Sequence, residues 1–230
     1  MTDGPAEERG RRILVIAPHA DDEVIGCGGT IARAARRGAE VSLIVMATGG
    51  IKHRHLPEAV TTDERLIEIE TACRTLGIAQ SKVLFPGHDM RLEDVPMLEL
   101  VTALDATIFS ADYDECYIPE PNHNLDHRRT HEAAVTALRP CGRRLPRLIA
   151  IYEGTVLGWQ SSAGIGGKLY VDVAATLDTK IAALRAYRSQ IRSYPHPVSE
   201  DAVRRLAAMR GLECGMDCAE RFQLLQMIRT

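Results

Sequence analysis

The stretch that decides the fold runs over residues 12–48 and reads RILVIAPHADDEVIGCGGTIARAARRGAEVSLIVMAT. It begins with a short apolar run, 12–17, that is typical of a strand buried on both faces, and a second such run follows at 41–47. Between the two runs, apolar residues recur at helical spacing over 22–37 until Gly38 closes the segment. This order of strand, helix and strand predicts a right-handed parallel crossover.

The same alternation continues along the rest of the chain. We predict further strands at 82–85, 116–118, 148–152 and 169–173, helices at 94–110, 126–138, 176–191 and 199–211, a helix capped by Asp63 that runs to Gly77, and a final segment near 219–228. Strands that alternate with helices predict an α/β fold, here an open, mostly parallel sheet with helices on both faces in a Rossmann-like three-layer sandwich. No linker or repeat divides the 230 residues, so we expect one domain over 1–230, with residues 1–11 flexible.

The composition is that of a globular protein and argues against nucleic-acid binding. The chain has 28 Lys and Arg against 31 Asp and Glu, a net charge of −3, and 4% aromatic residues. Nucleic-acid binding favours a basic face and aromatic stacking platforms. No apolar run approaches the roughly 20 residues that span a bilayer. The N-terminal residues lack the hydrophobic core of a signal peptide, so we expect a cytoplasmic protein whose six scattered cysteines are reduced.

Two loops that follow predicted strands carry imidazole and carboxylate groups together. They are APHADDE at 17–23 and PEPNHNLDH at 119–127. Ligands in such sheets bind beyond the carboxyl ends of the strands. Three such groups can hold one divalent metal and leave positions open for water, which is typical of a catalytic site. Imidazole and carboxylate without thiolate suit Zn²⁺, but also Fe²⁺, Co²⁺ or Mn²⁺. Of two adjacent aspartates, one can bind the metal and the other can take a proton from water, whose pKa a metal lowers to about 7.

Simpler interpretations of these residues stay open at this point. Asp-Asp-Glu before a helix also suits capping and the helix dipole, and His127 can be an ordinary first-turn residue. The sequence GCGG at 26–29 resembles a dinucleotide-binding loop, but Ile31 occupies the place of the third glycine and acidic residues precede the loop. Close packing of the first helix on the sheet explains these glycines better.

The two loops resemble the motifs of the PIG-L/LmbE-like family, the N-acetylglucosaminylphosphatidylinositol and mycothiol-pathway deacetylases. The family's P-H-x-D-D-E loop stands intact at 18–23. Its H-x-D-H loop stands at 124–127, with Asn124 where the family often has histidine. Weaker similarities extend over about residues 12–225, so the resemblance covers nearly the whole chain.

The resemblance implies a metal centre and a general base. His19, Asp22 and His127 match the family's metal ligands, usually to Zn²⁺, with Fe²⁺ or another divalent ion as the alternative. Asp21 matches the general base that activates water. Asp126, beside His127, is implied to orient or tune a catalytic imidazole.

The resemblance also implies substrate contacts and raises the question of the general acid. Arg65 and Asp89 match positions that are associated with gripping a sugar-like substrate. Asn124 can donate a hydrogen bond but cannot transfer a proton, so His123 becomes the candidate acid and His196 a weaker one. The general base could also return the proton itself.

The function that these implications favour is a zinc-dependent N-deacetylase acting on an amino sugar or an amino-sugar-containing metabolite. One alternative is an amidase for a thiol-sugar conjugate or a non-sugar amide, with the loop at 51–61 bordering the pocket and setting the choice. A different class of alternative is a metal- or nucleotide-binding module without catalysis. We expect a small-molecule substrate, no nucleic acid and no membrane span, and a homo-oligomer is compatible with the sequence.

Overall fold

A seven-stranded sheet with six helices organises the part of the chain that the computed structural model describes, residues 9–50, 59–142, 144–154 and 166–229. The strands are β1 (Arg12–Ala17), β2 (Glu40–Thr48), β3 (Gln80–Pro86), β4 (Glu115–Pro119), β5 (Leu148–Tyr152), β6 (Lys168–Asp172) and β7 (Ala219–Met227). The helices are α1 (Asp22–Arg36), α2 (Thr62–Leu76), α3 (Met97–Ile108), α4 (Leu125–Ala137), α5 (Leu177–Ala186) and α6 (Glu200–Cys214).

The strand order is β3-β2-β1-β4-β5-β7-β6. The first five strands in this order pair in parallel, whereas β7 runs antiparallel to both of its neighbours. The predicted open, mostly parallel sheet is therefore confirmed. The final segment near 219–228 is a strand that enters the sheet between β5 and β6, a position that its sequence pattern does not reveal.

Two hydrophobic clusters fill the space on the two faces of the sheet. Alternate strand residues point to opposite faces, so Val15 packs under α1, α2 and α5 while Leu14 packs under α3 and α4. Both side chains are fully buried. Helices thus cover both faces, which confirms the three-layer sandwich.

Several helix boundaries differ from the predictions, and three of them have a clear cause. Thr61, not Asp63, caps α2, because its side chain and that of Glu64 bond each other's backbone N–H in a capping box. The helix predicted over 94–110 starts only after Pro96, following a short 3₁₀ turn. The helix predicted over 176–191 ends at Ala186, because the next residues leave the helix to make buried polar contacts on α1 and α2.

The glycines of α1 allow close approach to the sheet, as their sequence context predicts. A Cβ on Gly29 would lie 2.7 Å from the Cβ of Val173, and one on Gly26 would collide with the ring of Tyr152. A side chain at either position would push the helix, and with it Asp22 at its first turn, away from the strands.

The structure also bears on the expectations about the cysteines, membrane spans and the N-terminal residues. All six cysteines are free thiols. No helix among the described residues is both long and apolar enough to cross a membrane. Of residues 1–11, expected to be flexible, 1–8 lie outside the described residues, and Arg11 donates a hydrogen bond to Glu115.

Candidate metal centre

The carboxylate of Asp22 lies between two imidazoles at the carboxyl end of the sheet. Its Oδ2 is 3.4 Å from Nδ1 of His19 and 3.2 Å from Nε2 of His127. The three donor atoms all lie within 4.8 Å of one another. His19 follows β1 and His127 lies in the first turn of α4, after β4. Because β1 and β4 are parallel neighbours, the two loops leave the sheet side by side.

This donor set fits a divalent ion. Two imidazole nitrogens and one carboxylate oxygen converge without a thiolate, and three protein ligands leave further positions open. Asp22 and His127 are buried, and the side chain of His19 is only 12% exposed. Among the described residues, no lysine or arginine side chain lies within ion-pair distance of Asp22. The arrangement therefore suits a bound metal ion as a partner of this carboxylate.

Neighbouring polar groups hold the two imidazoles in place. Oδ2 of Asp126 lies 3.0 Å from Nε2 of His19, and its other oxygen accepts the backbone N–H of Leu92. The amide nitrogen of Asn122 lies 3.0 Å from Nδ1 of His127. Such partners fix the orientation of ligand rings.

Two of these contacts go beyond the sequence interpretation. Asp126 was expected to act on an imidazole from its place beside His127, but the ring that it contacts belongs to His19 on the other loop. Asn122 was missed. It lies in the second motif loop, yet nothing in its spacing distinguishes it from the other polar loop residues.

The charges of the centre are strongly coupled. Burial opposes the ionised form of Asp22, but the two histidines outweigh it and hold its pKa well below the usual range. Burial alone would lower the pKa of His19, but its hydrogen bonds to Asp126 and Asp22, with the charge of Asp89, raise it to about 10. These contacts favour the protonated form of His19 in the metal-free protein.

Asp21 has an unusual backbone conformation for a residue that is not glycine. Its φ is 125° and its ψ is −25°. Such conformations cost about 1–3 kcal/mol and persist only where their surroundings hold them. Burial, and next the charge of Asp22, raise the pKa of the Asp21 carboxyl, while the charge of Arg65 opposes the rise.

Arg65 and Asp89, the predicted sugar contacts, both contact the loop that carries His19. Arg65 is 1% exposed, and its Nη2 donates to the carbonyl of Ala20 at 2.6 Å. Its Nη1 donates to Glu68, and its buried Nε has no partner among the described residues. Asp89 follows β3, and its Oδ1 lies 3.7 Å from Nε2 of His19.

Asn124 and the two candidate acids, His123 and His196, take different positions. Asn124 caps α4, because its Oδ1 accepts the N–H of Asp126, while its Nδ2 points to the sulfur of Met90 at 3.6 Å. His123 is exposed on the same loop. His196 is exposed in the turn before α6, where its Nδ1 accepts the N–H of Val198. The predicted specificity loop at 51–61 lies largely outside the described residues, which resume at 59.

Comparison with known families decides to which group this centre belongs. The family model for PIG-L, described as GlcNAc-PI de-N-acetylase, matches residues 14–138, over half of the chain and both motif loops. The chain belongs to the PIG-L family.

Relatives and solved structures agree with the PIG-L assignment. A 1D-myo-inositol 2-acetamido-2-deoxy-alpha-D-glucopyranoside deacetylase from Salinispora arenicola is 36% identical over 115 residues, which cover 46% of this chain and only 37% of the relative. A probable N-acetyl-alpha-D-glucosaminyl L-malate deacetylase from Bacillus cereus is 27% identical over 78% of this chain and 84% of its own. A conserved protein from Thermus thermophilus superposes with a TM-score of 0.73 at 28% identity, covering 95% of this chain and 96% of its own.

The fold also occurs with a different chemistry. A 4-carboxy-2-hydroxymuconate hydratase from Pseudomonas putida has a TM-score of 0.70 at 19% identity, covering 96% of this chain and 98% of its own. At that identity the likeness shows the fold alone. The reaction must therefore be argued from the side chains of the site.

Proposed function

We propose that this PIG-L protein is a metal-dependent hydrolase that removes an acetyl group from the nitrogen of an amino sugar or an amino-sugar-containing metabolite. The observation that carries the proposal is the cluster of His19, Asp22 and His127, with the carboxylate of Asp21 next to it in the chain and outside the cluster. The names of the relatives, which are deacetylases of N-acetylglucosamine conjugates, support the choice of substrate class.

We propose Zn²⁺ as the ion, with Fe²⁺ as the alternative for the same donor set. When bound, the ion would polarise the amide carbonyl and lower the pKa of water to about 7. His19, Asp22 and His127 would hold it, and Asp126 and Asn122 would orient the two rings.

The proton transfers fall to residues of this chain. Asp21 takes a proton from the attacking water as the new C–O bond forms at the acetyl carbon. When the C–N bond breaks, the proton goes to the departing amine, which leaves together with acetate. Asp21 can return this proton itself, and His123 is our candidate for an additional donor. Substituting alanine for His123 tests it: a lower kcat with an unchanged metal content would support the role, and an unchanged kcat would contradict it.

Substrate contacts are proposed for Asp89, Asn124 and Arg65. Asp89 lies against His19 from the loop after β3, and Asn124 lies on the motif loop after β4, where it caps α4. Arg65 is buried, so its assignment rests on its match to the family position and on its Nε, which has no hydrogen-bond partner among the described residues.

The experiment that tests the function measures release of acetate and free amine from a panel of N-acetylglucosamine conjugates. We expect Asp21→Asn to keep its metal and to lose about 10²- to 10⁴-fold in activity, the usual contribution of a general base. Asp178→Asn, in a side chain that is 91% exposed, is the matched control and should retain activity. Near-wild-type turnover of Asp21→Asn would contradict the assignment of the base.

One observation favours a second candidate function. Asn124 replaces the histidine that the family motif often carries, which would suit a metal-binding module without catalysis. The same panel decides between them when it includes an amide of a thiol-sugar conjugate and a non-sugar amide. Bound metal without hydrolysis of any amide would favour the module. A cytoplasmic location and a homo-oligomer stay predictions.

A further inference from the structure

Hydrogen bonds from two side chains hold the peptide that links Ala20 to Asp21. Nη2 of Arg65 donates to the carbonyl of this peptide, that of Ala20, at 2.6 Å. Its N–H, that of Asp21, donates to Oε2 of Glu23 at 3.2 Å. Asp21, whose φ starts at this peptide, has the positive φ that residues other than glycine rarely adopt.

Both side chains are themselves held from a third element. The hydroxyl of Tyr187, just after α5, donates to Oε1 of Glu23 at 2.5 Å. The guanidinium of Arg65 lies 5.6 Å from the centre of the Tyr187 ring, within the range of a cation–π contact. Glu23 and Tyr187 are both fully buried.

Buried hydrogen-bonded groups of this kind are costly to leave unpaired, which makes the arrangement rigid. Tyr187 directly follows the last residue of α5, Ala186, where the helix ends earlier than predicted. Three distant parts of the chain therefore converge on one peptide of the loop after β1.

We propose that Glu23, Tyr187 and Arg65 form a clamp that positions the carboxylate of Asp21. This inference rests on the proposed function, in which Asp21 is the base. The clamp holds Asp21 in its strained conformation, so that its carboxylate stays off the cluster while Asp22 enters it. Glu23 and Tyr187 act through Asp21 as positioning residues and do not touch the substrate.

Tyr187→Phe removes one hydroxyl from the clamp and keeps the ring. We expect kcat to fall about 10- to 100-fold, as for a small misplacement of a reacting group, with KM within about twofold and the metal content unchanged. Tyr117→Phe is the matched control, since this buried hydroxyl also donates to a glutamate, Glu115, but at the opposite end of β4. It should change kcat less than about twofold, the scale of an unrelated site.

A double substitution separates positioning from a general loss of structure. In the Asp21→Asn background, Tyr187→Phe should cause no further loss of kcat, because the group that it positions is already gone. The same fold loss in both backgrounds would overturn the clamp, and so would an unchanged kcat in the single variant.

Crystal structures of Tyr187→Phe and Tyr117→Phe give a readout that does not depend on turnover. The proposal expects Asp21 to leave the positive-φ region in Tyr187→Phe and to keep it in Tyr117→Phe. An unchanged Asp21 backbone in both would overturn it. If the wild type hydrolyses no amide at all, the proposed function fails while this structural comparison still decides the clamp.

Discussion

At the residue scale, Asp126 and Asp22 favour the protonated form of His19, which a metal must displace. Burial alone would lower the pKa of His19, but the contacts with Asp126 and Asp22, together with the charge of Asp89, raise it to about 10. A metal that binds to this ring must displace a proton, because the ligand form of histidine is the neutral imidazole. Metal affinity should therefore rise with pH as long as His19 is protonated in the free protein.

The first prediction concerns this pH dependence. Affinity for Zn²⁺, titrated against a competing chelator, should increase about tenfold per pH unit for each proton released, up to the alkaline pKa of His19. Asp126→Asn keeps the shape of the side chain but lowers the pKa of His19. In this variant the affinity for Zn²⁺ should therefore stop rising at a lower pH than in the wild type. An affinity of the wild type that does not change with pH would contradict the assignment of His19 as a ligand.

The sequence predicts part of this chemistry and misses the rest for a definable reason. His19, Asp22 and His127 come together as predicted, because strand-end loops of neighbouring parallel strands share an edge. Asn122 and Tyr187 escape prediction. The role of each depends on a hydrogen bond to a residue whose position is known only once the chain is folded.

At the element scale, a buried ion pair completes the interrupted helix α1. The backbone at Cys27 is not helical, so nearby N–H and carbonyl groups lose their partners within the helix. Glu220 accepts the N–H groups of Gly29 and Thr30, and Lys180 donates to the carbonyl of Ile25 as well as to Glu220. The pair thus anchors the helix whose first residue is Asp22.

Breaking this pair should be costly. Lys180→Met leaves Glu220 charged and buried, and we expect a loss of about 3–5 kcal/mol in the free energy of unfolding. The matched control is Arg204→Met, which breaks the exposed pair with Asp178 and should cost at most about 1 kcal/mol. Urea denaturation measures both. Equal and small losses would show that the pair does not anchor α1.

Elements differ in how well the sequence predicts them. The strands at 12–17 and 148–152 fall where predicted, because continuous apolar runs identify buried strands. The end of α5 does not fall where predicted, because the polar contacts of Tyr187 and Ser189 replace further helical turns. The place of β7 in the sheet depends on the pairing of distant segments, which local periodicity does not encode.

At the scale of the whole molecule, the sheet order explains why residues a hundred positions apart form one centre. β1 lies between β2 and β4, so the loop that carries His19 meets the first turn of α4, which carries His127. The alternation of strands and helices predicts a parallel sheet with both loops at its carboxyl edge. It does not predict the order of the strands, on which the meeting of these two loops depends.

The most direct test of the account is the metal content of the purified protein and its variants after loading with Zn²⁺ and removal of excess ion. We predict one tightly bound ion per chain in the wild type and in Asp21→Asn, and none in His19→Ala or His127→Ala, with all four proteins folded by circular dichroism. Undiminished metal binding by both histidine variants would contradict the central claim that these two loops share one ion.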